Sequence, residues 1–167
     1  MRNHGKSDHH KNHTYSLMAD DVVRLLDKLK IPKVTVMAHS MGSKVTYSLA
    51  CRYPSRVEGV ITVDTAPRDF MKHYTSHCRF VKSIQSRLRG FDGRGRSRNQ
   101  LIDEMGKMFN SKTVGKMAVN NMKFDNDTIS LGWKSNMPAI LDHYEDMRSY
   151  KREGQYTGHL LFLNSGK

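Results

Sequence analysis

The sequence predicts an α/β fold, a parallel sheet flanked by helices. Two short β-branched runs, Lys33 to Met37 and Val57 to Asp64, are each bounded by turn residues, as buried parallel strands are. One helical pattern precedes the first run and another separates the two, the alternation that a parallel sheet requires. A late apolar run, His159 to Leu163 (HLLFL), supplies a third strand.

In chain order, Met1 to His13 is polar and irregular and is expected to be a solvated loop. Its histidines, His4, His9, His10 and His13, come with no carboxylate or cysteine in a fixed zinc spacing, so no metal is expected there. Tyr15 to Lys30 reads as a helix. Tyr15, Met18, Ala19, Val22, Leu25, Leu26 and Leu29 form its apolar stripe at 3.6 spacing. Ser16 is expected to cap it, with Asp20 and Asp21 favouring its positive end, and Ile31-Pro32 ends it.

Val34 to Gly42, VTVMAHSMG, then carries the most specific signal in the chain. The β-branched run passes into Ala38-His39-Ser40-Met41-Gly42, a G-x-S-x-G elbow with Ala38 in the first small position. A serine hydroxyl is a poor nucleophile unless it is lifted clear of its neighbours and deprotonated as it attacks. A sharp strand-to-helix turn lifts it, and such a turn needs small residues two before and two after. Ala38 and Gly42 satisfy that. A helix starting at the serine aims the Met41 amide at the place where an oxyanion forms. Lys44 to Tyr53 reads as that helix, with Val45, Leu49 and Ala50 on one face. The next strand ends in Asp64. A carboxylate there stands on the sheet edge where α/β proteins bind their ligands.

Beyond Asp64 the pattern weakens. Phe70 to Ile102 is basic, with short helical pieces. Leu101 to Met122 carries Met105, Met108, Met117 and Met122 at helical spacing, read as core filler, with an acyl-pocket lining as the alternative. Trp133 to Tyr150 reads as a helix with Met137, Ile140, Leu141, Tyr144 and Met147 on one face.

Composition bounds the function classes. The 167 residues suit one domain; 37% are hydrophobic and the mean hydropathy is −0.66. No run reaches the roughly 18 to 20 apolar residues of a membrane span, and no secretory signal is visible at the start. Cys51 and Cys78 make no disulfide framework and are expected as reduced thiols. The net charge is +12, from 28 basic and 16 acidic residues. The basic concentration from Arg79 to Arg98 comes without any helix-turn-helix, zinc-finger or RNP-like aromatic motif, so a specific nucleic-acid partner is not expected.

Taken together, Arg2-Asn3-His4-Gly5 with Ser7, His39-Ser40-Met41-Gly42-Ser43-Lys44 and Val63-Asp64-Thr65-Ala66-Pro67 resemble the α/β-hydrolase fold. The likeness is to its esterase and lipase branch, that of the abhydrolase-domain-eleven proteins and their bacterial esterase relatives. Trp133-Lys134 with Asn136, and Leu160 to Gly166, match weaker stretches in the family's order. The resemblance implies Ser40 as nucleophile, Asp64 as the acid and the Met41 amide as an oxyanion donor. It implies a helical lid over about residues 70–131 of a single partial domain, no cofactor, an ester or acyl-lipid substrate such as diacylglycerol, and a mitochondrial setting. It also implies that strands carrying an H-G-x-x-G-type oxyanion loop precede these motifs, and that a G-H motif follows them. The chain is therefore expected to be the middle of a hydrolase, inactive alone. A non-catalytic, hydrolase-like binding or regulatory protein is the alternative. Of the internal histidines, His39 is expected to point away from Ser40 and His159 to lie at the opposite sheet edge. His73 and His77 follow Asp64 on the correct edge.

Overall fold

A computed structural model describes residues 1–66, 86, 95–125, 128–148, 150–151 and 153–164. His73, His77, Cys78, Pro67, most of the basic stretch and Ser165-Gly166 lie outside them. Three parallel strands, β1 (Val34–His39), β2 (Val57–Val63) and β5 (His159–Leu163), form one sheet in the order β1-β2-β5. The strands fall where the two β-branched runs and the late apolar run predicted them, with β1 beginning one residue later and extending two residues further.

Helices α1 (Tyr15–Lys28) and α2 (Met41–Arg52) pack together on one face of the sheet. There Met18, Val45, Leu49, Val57, Val60 and Tyr150 make the main core. Two expectations for α1 are corrected. Thr14, not Ser16, caps it, its side chain accepting from the Leu17 amide, while the Ser16 hydroxyl donates to Glu153 at 2.5 Å. Asp20 and Asp21 stand beyond the first turn and pair instead with Arg52 and with Arg2 and Arg24. Leu25 and Leu29 lie on the exposed side of the stripe.

On the other sheet face the outer strands expose their side chains, while Ile61 and Val63 of β2 are half-buried. In β1 the side chains alternate, Val34, Val36 and Ala38 half-buried, Thr35, Met37 and His39 exposed. The register lines Met37 up with Ile61 and Leu161, and His39 with Val63 and Leu163. Met37 is 67% exposed and Leu161 52%. β1 and β5 are also the outer strands of the sheet.

Between β2 and the end of the chain lies a second body with its own core. Helices α3 (Arg98–Met108) and α4 (Lys112–Asn120) form a hairpin, followed by the antiparallel strands β3 (Met122–Asp125) and β4 (Thr128–Trp133). Leu101, Met105, Val119 and Met122 pack there with Phe109 and Trp133. Three of the four methionines fill this core as read; Met117 is exposed. The predicted lid is thus not all helical, since Met122–Asp125 and Thr128–Trp133 pair as strands. The helices cross tightly at Gly115: a Cβ there would run into the backbone of Gly106 and stand 2.7 Å from the Ile102 carbonyl. The helix expected from Trp133 is also corrected. Trp133 ends β4, and two short helices follow, α5 (Met137–Asp142, capped by Asn136) and α6 (Tyr144–Arg148). Among the described residues, no helix is long and apolar enough to cross a membrane.

Candidate active site

Ser40 stands at the bend between β1 and α2 with φ 52° and ψ −119°, a conformation L-residues rarely adopt. The elbow read from the sequence is therefore present in the backbone. Its causes are local. The chain must turn from an extended strand into a helix within one residue. Ala38 and Gly42 face each other across the turn, and a Cβ on Gly42 would lie 3.6 Å from that of Ala38. Side chains larger than methyl at these two positions would compete for the same space. Ser43, fully buried, adds a tie that sequence reasoning missed, its hydroxyl donating to the Ala38 carbonyl at 3.1 Å. Ser40 itself is exposed on the rim. Met41 is the first residue of α2, so its amide is among the helix-terminal donors without an intrahelical acceptor.

Asp64 is exposed on the same rim. The register pairs His39 with Val63, so Ser40 and Asp64 are each the next residue along. The Ser40 amide donates to the Val63 carbonyl at 3.4 Å, and the Asp64 amide to the Leu163 carbonyl at 2.9 Å. All three strand ends are knitted together at this point. Asp64 also has a left-handed backbone, φ 55°, so the chain leaves β2 sharply. Tyr47, on the elbow helix, holds the turn that follows. Its hydroxyl donates to the Thr65 carbonyl at 2.5 Å and shares a hydrogen bond with the Thr62 hydroxyl at 2.9 Å. Burial pushes this phenol up from its ordinary pKa. One helix thus begins at Ser40 and, two turns on, fixes the backbone next to Asp64.

The histidines take varied places. His159 pairs with Gly59, which pairs with Thr35, five residues before Ser40, so His159 is on the opposite edge. His39 is on the exposed sheet face. The N-terminal loop is exposed along most of its length, as expected, but Asn3 and His13 within it are fully buried. Burial first, then the positive charges of His4, His143 and Arg2, lower the His13 pKa from 6.5 to about 4. Arg2 anchors the same loop to α1 through a two-pronged bond to Asp21, at 2.6 and 2.7 Å. That bond holds the Asp21 carboxyl below its usual range. No group of three or more histidine, cysteine, aspartate or glutamate side chains among the described residues could hold a metal ion.

Strand, elbow and helix are matched along almost the whole chain by one family profile, that of the alpha/beta hydrolase fold, over residues 1–161. The chain belongs to the α/β-hydrolase fold family. Its curated relatives include a protein named sn-1-specific diacylglycerol lipase ABHD11, from Danio rerio. That protein is 31% identical over 163 residues, covering 97% of this chain and 51% of the relative. Esterase YbfF of Escherichia coli is 26% identical, covering 99% of this chain and 61% of that protein. Among solved structures, a marine microorganism esterase has the same fold with a TM-score of 0.83 at 22% identity, covering 98% of this chain and 63% of that one. This hydrolase-fold chain spans about half the length of the diacylglycerol-lipase relative.

Proposed function

We propose that this chain is the central part of a serine hydrolase of carboxylic esters, with Ser40 as nucleophile, the Met41 amide as one oxyanion donor and Asp64 orienting a histidine. The observation that carries the reading is the strained Ser40 bend beside Asp64 on one sheet rim. Ser40 attacks the ester carbonyl; the histidine takes its proton and returns it to the leaving alcohol; Asp64 holds that imidazole in one tautomer. The substrate is an acyl-lipid ester, such as diacylglycerol. That choice is supported by the name of the 31% identical relative. A mitochondrial compartment follows from the family resemblance and agrees with the net charge of +12.

The histidine and the second oxyanion donor are proposed to come from polypeptide outside these 167 residues. The exposed apolar side chains of the outer strands, Met37 and Leu161 among them, and a relative about twice as long support this. Loss of one oxyanion donor costs about 10² to 10³ in kcat, and loss of the base costs on the order of 10⁶. The 167-residue chain alone is therefore expected to hydrolyse p-nitrophenyl acetate no faster than its Ser40→Ala variant. Sequencing the transcript on both sides tests the wider reading. An upstream H-G-x-x-G and a downstream G-H, with Ser40-dependent turnover and fluorophosphonate labelling of the longer product, would support it. A longer product that carries neither motif and takes no label would leave a non-catalytic hydrolase-like binding protein in its place.

A further inference from the structure

The sequence singled out two stretches 130 residues apart, R-N-H-G at the start and W-K-x-N at Trp133 to Asn136. The fold brings them into contact. Asn3 is fully buried and left-handed, φ 63°, a conformation that asparagine and glycine tolerate best. Its side-chain oxygen accepts from the His10 amide at 2.7 Å and from the Asn136 side-chain nitrogen at 3.1 Å. Its nitrogen donates to the Asn12 carbonyl at 3.3 Å and to His13 Nδ1 at 3.4 Å. Its carbonyl accepts the Asn136 amide at 2.9 Å. Asn136 donates a second time, to the His10 carbonyl at 3.0 Å, and His9 Nε2 bonds the Lys134 carbonyl at 3.1 Å. Both hydrogens and both lone pairs of a single buried amide are used. Such a group is costly to leave half satisfied, which makes the arrangement all-or-none.

Trp133 and Asn136 face different neighbours. Trp133 packs into the core of the second body, and Asn136 binds the N-terminal loop. That body has its own hydrophobic cluster, separate from the main one. Its junction with the loop is this polar knot rather than a shared apolar core. The loop in turn stands on the Ser40 rim. α1 has 14 residues, about 21 Å at ~1.5 Å each. β1 has 6, about 20 Å at ~3.3 Å each. The helix runs back along the sheet before β1 begins, so its first residue, Tyr15, lies level with the end of β1.

We infer that Asn3 and Asn136 are positioning residues: they form a buried amide clasp that seats the α3–β4 body on the Ser40 rim, and this body loosens as one unit when the clasp is cut. Its significance for catalysis rests on the ester-hydrolase reading; its existence does not. Two variants remove the clasp while sparing local structure. Asn136→Ser keeps an oxygen to cap α5 but loses the amide donor. Asn3→Gly keeps the left-handed backbone but loses the side chain. Trp133, the one tryptophan in the chain, reports on the body from inside its core. Hydrogen exchange followed by mass spectrometry on the whole chain is expected to show α3 and α4 peptides exchanging at least ~10-fold faster in both variants, with α1 and α2 peptides unchanged. The Trp133 emission should shift to the red. Unchanged exchange in both variants would overturn the inference, as would an acceleration shared equally by α1, α2 and the hairpin. Neither readout uses Ser40 chemistry, so failure of the esterase reading and failure of the clasp are separately visible.

Discussion

Lowering the pH should weaken the fold through His13, and its buried position sets the size of the effect. The imidazole is fully buried, and its Nδ1 accepts from the Asn3 amide, so the neutral ring carries its proton on Nε2. Protonation would place a second N–H against the Asn3 amide donor, beside the His4 ring at 5.4 Å and under the fields of His143 and Arg2. The folded pKa is about 4 against 6.5 for an unperturbed histidine, so the unfolded chain binds the proton first as pH falls. Stability from this group is intact above pH 6.5 and is lost progressively between 6.5 and 4. Each pKa unit corresponds to ~1.36 kcal/mol, so the complete loss is about 3 kcal/mol, of which about 2 kcal/mol falls between pH 7 and 5. The assay is urea denaturation at half-unit pH steps, on the native chain and on His13→Asn. The asparagine oxygen can accept from Asn3 where Nδ1 did, and it does not titrate. Other histidines contribute to both curves, so the difference in slope isolates His13. Parallel curves for the two proteins from pH 7 to 5 would refute the reasoning.

Three further substitutions probe the packing. Gly115→Ala puts a methyl into the backbone of Gly106 and against the Ile102 carbonyl, neither of which can rotate away. It should destabilise the second body by about 1–3 kcal/mol, seen as faster amide exchange in α3 and α4 and a red-shifted Trp133. At the elbow, Gly42→Ala should be tolerated, because the new methyl meets Ala38 at an ordinary 3.6 Å. Ala38→Leu should lower the urea midpoint by the equivalent of about 1–3 kcal/mol; equal midpoints for Ala38→Leu and the native chain would show the bend to be roomier than its geometry indicates.

How far these features can be read from the sequence depends on the range of the interaction that makes them. β1 and β2 are legible because β-branched runs between turn residues need no distant partner to declare themselves, and β5 because HLLFL is a short, continuous apolar run. The elbow is legible because its constraints, small residues two before and two after Ser40, are confined to five positions. The α1 cap already shows the limit. Ser16 and Thr14 are both good capping types; Thr14 takes the Leu17 amide, while Ser16, inside the helix, donates to Glu153, more than 130 residues away. The α3–α4 crossing fails for the same reason. Gly106 and Gly115 read as helix-weakening residues until the two helices meet on them. Trp133 to Tyr150 has a convincing helical stripe, yet Trp133 goes to a strand, because its ring completes the core of the second body.

The N-terminal loop is the sharpest case. Histidine, asparagine and lysine in a row have the composition of a solvated segment, and composition carries no information about Asn136. Once Asn136 is brought near, Asn3 within this exposed loop can be buried, because a single asparagine can satisfy four hydrogen bonds where an apolar residue would satisfy none. The same logic extends to the rim as a whole. Ser40 and Asp64 were found by local pattern, but the groups that hold their surroundings, Ser43 beneath the bend and Tyr47 on the Thr65 carbonyl, act across packed elements. In this fold the chemistry is written locally and its support is written at a distance. Substitutions at the supporting positions should therefore alter the rim without touching any residue that a motif search would select.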